Sequence, residues 1–199
     1  ELEMLARRMK SCRSGIVFFG LGLTRHARGG HPVVEALLRL VTDLNRHTRF
    51  YARRMRIPGD VAGADSVLCW QTGFPFSVNL ARGYPRYGPG EYSANEVLQR
   101  GEVDACVIVG SESLQRLSPA ALDRLRQLPS IVLDYPGVIG PFPPHVAFTT
   151  AIYGVHARGT AYRMDETPIP LTRFLPSDLP TDGAVLRGIE TALRGMGTG

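Results

Sequence analysis

The sequence predicts an α/β fold, a Rossmann-like parallel sheet flanked by helices. Three observations predict it. Short, nearly continuous apolar runs recur at 15–20 (GIVFFG), 104–110 (DACVIVG) and 130–134 (SIVLD), the pattern of strands buried on both faces. Helical patterns lie between the runs, as where Val34, Leu37, Leu38, Val41 and Leu44 share one stripe. Glycine and proline punctuate the junctions.

The elements follow in order. Residues 1–13 read as an amphipathic helix and 15–20 as the first strand. Pro32 suits the first turn of a helix running to Asn45. TRFYARRM (48–55) alternates like a strand, whereas DSVLCW (65–70) fits a strand or a short helix equally. Ser93, with Glu96 three residues on, predicts a capping box on SANEVLQR, stopped at Gly101. DACVIVG is the clearest buried strand. Ser118 and Pro119 start a helix over 118–128. SIVLD and HVAFTTA (145–151) are further strands, joined by the loop PGVIGPFPP (136–144), and 182–195 is a final helix. The loop follows a strand's carboxyl end, where open α/β sheets place ligands.

The 199 residues are 44% hydrophobic and 21% charged, which suits one folded domain over 1–199. Its parts would be the N-terminal helix (1–13), a sheet core (15–155) and a C-terminal segment with a helix (156–199). No apolar run approaches the length of a membrane span, and no targeting stretch is present. The start ELEMLARRMK reads as the interior of a longer polypeptide. The net charge is +5, and Lys10 is the only lysine. The arginines are scattered apart from Arg53, Arg54 and Arg56, and no nucleic-acid motif accompanies them, so no nucleic-acid partner is expected. Cys12, Cys69 and Cys106 have neither disulfide-framework nor metal spacing. A cytoplasmic location is expected.

Four stretches could carry function. GLGLTRHARGGH (20–31) runs from a strand to a helix start, a place suited to anions. Gly20, Gly22, Thr24, Arg25, Arg28 and His31 are its candidates. A dinucleotide fingerprint would need glycine where Arg25 stands. WQTGFPFSVNLARGYPRYGPGEY (70–92) holds two Phe, three Tyr and one Trp with neither helical nor strand periodicity. Its rings could pack on the domain's own sheet edge, against a partner chain, or around a ligand. Trp70, Phe74, Phe76, Arg82, Tyr84, Arg86, Tyr87 and Tyr92 are the candidates, since such residues are enriched in interface cores. GSES (110–113) is a strand-end turn or a ligand-contacting loop. In GTAYRMDETPIPL (159–171), Tyr162 and Arg163 could reach a partner, and Asp165 reads as a turn residue. No nucleophile–base pair or metal set is visible, so no catalytic or metal-ligating residue is assigned.

Taken together, GLGLTRHARGGH, WQTGFPFSVNLARGYPRYGPGE, LQRGEVDACVIVGSES and GTAYRMD resemble the B-type subunit of formylmethanofuran dehydrogenase in order and spacing, from about residue 15 onward. The GLGLT segment more remotely resembles the third domain of molybdopterin oxidoreductases, whose core holds part of a bis-guanine-dinucleotide pterin. Two branches are implied. One is the tungsten or molybdenum dehydrogenase of methanogens, with bis-molybdopterin guanine dinucleotide. The other is a bacterial formyltransferase/hydrolase complex of one-carbon metabolism and methylotrophy. That complex moves a formyl group from tetrahydromethanopterin to a methanofuran-type carrier and hydrolyses it to formate.

The dehydrogenase's N-terminal cysteine and iron–sulfur motif find no match here, and Cys12 does not occupy the ligand's place. Arg28 aligns with an arginine that lies toward the family's active site. The expectation is the bacterial branch: a non-redox scaffold beside amidohydrolase-like, formyltransferase and C-type subunits, with no cofactor in this chain. That setting favours subunit contact for the aromatic segment. The pterin-binding dehydrogenase is the alternative.

Overall fold

The computed structural model describes residues 1–23, 30–55, 61–163 and 167–196. They fall into two compact units, Glu1–Ala62 with Tyr162–Thr167, and Gly63–Ala161 with Pro168–Gly199.

The first unit is a βαβ motif with a leading helix. Helix α1 (Leu2–Ser11) precedes strand β1 (Ser14–Phe19), helix α2 (His31–Leu44) and strand β2 (Arg49–Arg54). β1 and β2 pair in parallel, Ser14 opposite Arg49 through Phe19 opposite Arg54. Pro32 sits in the first turn of α2 as predicted.

Asn45 ends that helix and sets the start of β2. Its Nδ2 donates to the Val41 and Phe50 carbonyls, both at 2.8 Å, and its Oδ1 accepts from Phe50 N at 3.1 Å. The Thr48 hydroxyl donates to the Cys12 carbonyl, tying β2 back to the end of α1. Asn45→Ala removes three hydrogen bonds around a part-buried turn. We expect a loss of about 1–3 kcal/mol in chemical denaturation; a change within error would show that the turn holds without them.

Phe50 is 7% exposed and lies against Gly15, its register partner. A Cβ at Gly15 would stand 2.0 Å from the Phe50 ring, so the glycine is what admits the ring. Burial along β1 alternates, leaving Ile16 and Phe18 exposed beside Tyr51. The expectation of a strand buried on both faces is therefore corrected: in this unit only one face of β1 is covered.

The second unit opens inside α3 (Val61–Thr72), which settles DSVLCW as helix. Its consecutive apolar residues carry no period, which is why spacing left the choice open. Strands β3 (Val78–Asn79) and β4 (Arg86–Tyr87) follow, then α4 (Ala94–Gln99), β5 (Cys106–Val109), a 3-10 helix (Ser111–Arg116), α5 (Pro119–Arg126), β6 (Ser130–Asp134) and β7 (Val146–Thr149). Strands β8 (Gly159–Tyr162) and β9 (Pro168–Leu171) form a two-stranded sheet, and α6 (Asp182–Met196) closes the chain. The short β8 and β9 were not expected; Pro168 and Pro170 hide the second from a strand search.

β5, β6 and β7 form one parallel sheet in that order, with Cys106 opposite Ser130 and Ile131 opposite Val146. The core lies where α4 and α5 meet: Leu98, Leu114, Ala121, Leu125 and Leu128, with Cys106, Ile108 and Phe142 packed against them. Burial pushes the Cys106 thiol up from its ordinary range, as befits a packing residue. β6 is the buried strand of the sheet. β5 is not, for Val107 and Val109 are each 53% exposed on the face away from this core.

The Ser118 side chain caps α5, accepting from Ala121 N at 3.3 Å. Ser93 also stands at the N-cap of α4, but the capping box does not form. Its hydroxyl instead accepts from Gly90 N at 2.9 Å and pairs with the Ser77 hydroxyl at 3.0 Å. Two loop contacts there outcompete the helix's own amide.

Candidate functional site

The aromatic segment begins on the last turn of α3, which carries Trp70, and continues through turns into a short hairpin. Gly73, with φ +83°, ends α3, and its N–H donates to the Cys69 carbonyl at 2.8 Å. The Thr72 hydroxyl accepts from Phe74 N at 3.2 Å and redirects the chain. Val78 then pairs with Tyr87 and Asn79 with Arg86, antiparallel, so a minimal hairpin does form where none was expected. Asn79 Oδ1 accepts from Ala81 N at 2.9 Å, and Gly83 N donates to the Leu80 carbonyl at 2.9 Å, which closes its tip.

The rings divide into two sets. Phe74 stacks on Tyr87 with centroids 5.1 Å apart and planes 1° from parallel, and Phe76 meets Tyr87 edge-on at 5.8 Å. The Arg86 guanidinium lies 5.0 Å from the Tyr92 ring, a cation–π contact. Glu91 accepts the Tyr92 hydrogen bond and holds that phenol above the usual tyrosine range. These six residues brace the hairpin through contacts with one another, while Phe76 and Tyr87 keep one side open to solvent. Trp70 and Tyr84 lie mostly in the open, 68% and 52% exposed, together with Leu80 and Arg82. The segment is thus an internally braced hairpin that presents further apolar surface.

Elsewhere the predicted residues are only partly in view. Gly20 follows β1, and Gly22 lies in the 3-10 turn Leu21–Leu23. A Cβ on either glycine would meet nothing within 4 Å, so the chain's own packing does not demand glycine there. His31 begins α2 and is exposed. Thr24, Arg25 and Arg28 lie outside the described residues, as do Arg56 and Asp165. Tyr162 ends β8, and Arg163 N donates to the Thr167 carbonyl at 3.0 Å.

GSES proves to be a turn held by a residue that sequence reading missed. Gly110 has φ +80°, and its N–H donates to the Leu133 carbonyl at 3.0 Å. Asp134, the last residue of β6, accepts from Ser111 N at 2.8 Å and from the Ser111 hydroxyl at 2.6 Å. The Tyr135 phenol donates to Glu112, which raises the phenol's pKa. A carboxylate ending the strand after the one that carries GSES was the available signal. Beside this edge lies a cavity of about 180 Å³, lined by Ser111, Asp134, Gly140, Phe142 and Phe148 among others. Among the described residues, no group of three or more His, Cys, Asp or Glu is placed to hold a metal ion. No described helix is long and apolar enough to cross a membrane.

Parallel strands flanked by helices define an α/β protein of Rossmann-like build. In sequence the chain is a homologue of part of the B-type subunits of formylmethanofuran dehydrogenase. It is 37% identical over 180 residues to the B-type subunit of the tungsten-containing formylmethanofuran dehydrogenase 2 of Methanocaldococcus jannaschii, and 33% identical to that of Methanococcus maripaludis. Each alignment covers 89% of this chain but 41% of the relative, so the chain spans about two-fifths of their length. In fold it matches a chain from the crystal structure of the formyltransferase/hydrolase complex FhcABCD of Methylorubrum extorquens, solved with methylofuran. The TM-score is 0.76 with 24% identity, covering 99% of this chain and 53% of that one. No protein-family profile matches the chain.

The tungsten of the curated relatives, with the guanine-dinucleotide pterin that the resemblance implies, raises the question of fit. At the carboxyl edge of β5–β6–β7 the residues do not fit a dinucleotide. The cavity falls below the ~300 Å³ at which small-molecule sites begin, and both Asp134 oxygens already serve Ser111.

Proposed function

We propose that this chain is the B-like scaffold of a formyltransferase/hydrolase complex. The assembly would transfer a formyl group from tetrahydromethanopterin to a methanofuran-type carrier and hydrolyse it to formate. The chain contributes no redox chemistry and holds no cofactor. Its partners are amidohydrolase-like, formyltransferase and C-type subunits in the cytoplasm. The observation that carries this reading is the aromatic segment, where Trp70 at the end of α3 and Leu80 and Tyr84 near the hairpin tip remain exposed.

Exposed apolar surface elsewhere supports the same reading. Helix α1 has no buried residue, and its Leu2, Leu5 and Met9 line a cleft of about 500 Å³ with Leu40 and Leu44. The fold likeness to a chain of the FhcABCD structure supports a setting among other subunits. Affinity isolation of the tagged full-length protein from its host, with mass spectrometry, tests the proposal. Recovery of an amidohydrolase-like partner is expected; recovery of the chain without one would contradict it.

One observation favours a second reading, the pterin-binding part of a tungsten or molybdenum formylmethanofuran dehydrogenase. Identity to the tungsten-containing relatives, at 33% and 37%, exceeds the 24% to the FhcABCD chain. In that case Gly20 and Gly22 would lie toward the pterin phosphates, and metal would accompany the isolated protein.

A further inference from the structure

We propose that the carboxyl edge of the β5–β6–β7 sheet is zipped shut by the chain's own residues and takes no nucleotide. This deepens the scaffold reading and rests on it for the ligand in question. In an open parallel sheet this edge is where a ligand enters, because the loops leaving adjacent strands part there. Here they are held together by three consecutive rungs.

Gly110 N donates to the Leu133 carbonyl at 3.0 Å, continuing the β5–β6 ladder one residue past β5. Ser111 spends both its amide and its hydroxyl on the Asp134 carboxylate, at 2.8 and 2.6 Å. Glu112 then accepts from the Tyr135 phenol. The rungs join 110 to 133, 111 to 134 and 112 to 135; the two side-chain rungs fall one residue out of step with the strand register, in which Val109 faces Leu133, and bridge the chain segments leaving the strands, the outermost of them exposed to solvent.

Ser111 is 2% exposed and Asp134 half-buried, so their pairing is partly shielded from water. Hydrogen bonds to a charged acceptor are roughly twice as strong as neutral ones. Each Asp134 oxygen keeps a further lone pair, but access is confined. Gly140, in the proline-rich loop, comes so close that a Cβ there would stand 3.3 Å from Ser111 Oγ. Thr150 N also donates to the Asp134 carbonyl at 2.8 Å, fixing the end of β6 against the chain leaving β7. What remains is about 180 Å³, room for water or a small solute.

The test titrates the full-length protein, in its native assembly, with GMP and GDP by calorimetry, alongside thermal unfolding of Ser111→Ala and Asp134→Asn. No saturable binding is expected up to roughly 1 mM nucleotide. Ser111→Ala should lower Tm by roughly 3–10 °C. Binding tighter than roughly 100 µM that Asp134→Asn weakens tenfold would overturn the proposal. An unchanged Tm in Ser111→Ala would overturn it too, since the zipper would then hold nothing. Binding that Asp134→Asn leaves intact lies elsewhere and agrees with a closed edge. If neither variant folds, hydrogen exchange of the wild-type protein with saturating GDP decides: protection confined to residues 110–112 and 133–135 would overturn the proposal, and its absence there supports a closed edge. Tungsten or molybdenum in the native protein would defeat the scaffold reading without touching this edge. Nucleotide held at Asp134 would open the edge without supplying a metal.

Discussion

Replacing Gly15 by alanine is expected to destabilise the β1–α2–β2 unit by about 3 kcal/mol. The new methyl would fall 2.0 Å from Phe50 Cε2 and 2.4 Å from Cδ2, far inside van der Waals contact. Phe50 cannot move away cheaply. It is buried, and both its backbone polar groups are held by Asn45, so the ring must leave its pocket or the two strands must part. Circular dichroism would read this as a fall in Tm of roughly 6–12 °C. Trimming the ring should relieve the clash, so Gly15→Ala combined with Phe50→Leu should lose less than the sum of the single changes. A Tm within 1 °C of wild type for Gly15→Ala, or strict additivity, would show that Phe50 does not need the glycine.

The second large effect concerns assembly. Trp70→Ala and Tyr84→Ala should each weaken association with partner subunits by at least tenfold, and Tyr84→Ala should do so while leaving Tm nearly unchanged. Truncating a buried aromatic at an interface commonly costs about 2 kcal/mol or more, and these two rings are exposed in the chain itself. Tyr87→Ala should behave differently. Tyr87 stacks on Phe74 and meets Phe76, so its loss should lower stability as well as association. Quantitative pull-down with thermal unfolding separates the two classes. Unchanged retention of partners by Trp70→Ala and Tyr84→Ala would place the subunit interface elsewhere.

The elements that could be read ahead are those with a local cause. Ser118 with Pro119 starts α5 because the cap and the fixed φ act within one turn. Gly101, at φ +69°, ends α4 for an equally local reason. The strands of GIVFFG, DACVIVG and SIVLD were legible as strands, but their burial was not. An apolar run does not state which of its faces a helix will cover, and Ile16, Phe18, Val107 and Val109 stay exposed.

Ser93 illustrates the same limit: its capping signal was present, but Gly90 and Ser77, brought near by the hairpin, take the hydroxyl. At the candidate site, the ring density of 70–92 was visible at once. The division of labour within it was not, because stacking of Phe74 on Tyr87 depends on the β3–β4 pairing. Asp134 escaped notice for a related reason, since its partner Ser111 is 23 residues away and only the parallel register joins them.

On the proposed function, a fold related to tungsten-containing enzymes serves here as a scaffold. Elemental analysis of the natively isolated complex, normalised to the amount of this chain, tests it most directly. Tungsten and molybdenum are expected far below one atom per chain in preparations that retain the partner subunits. One tungsten or molybdenum atom per chain would contradict it.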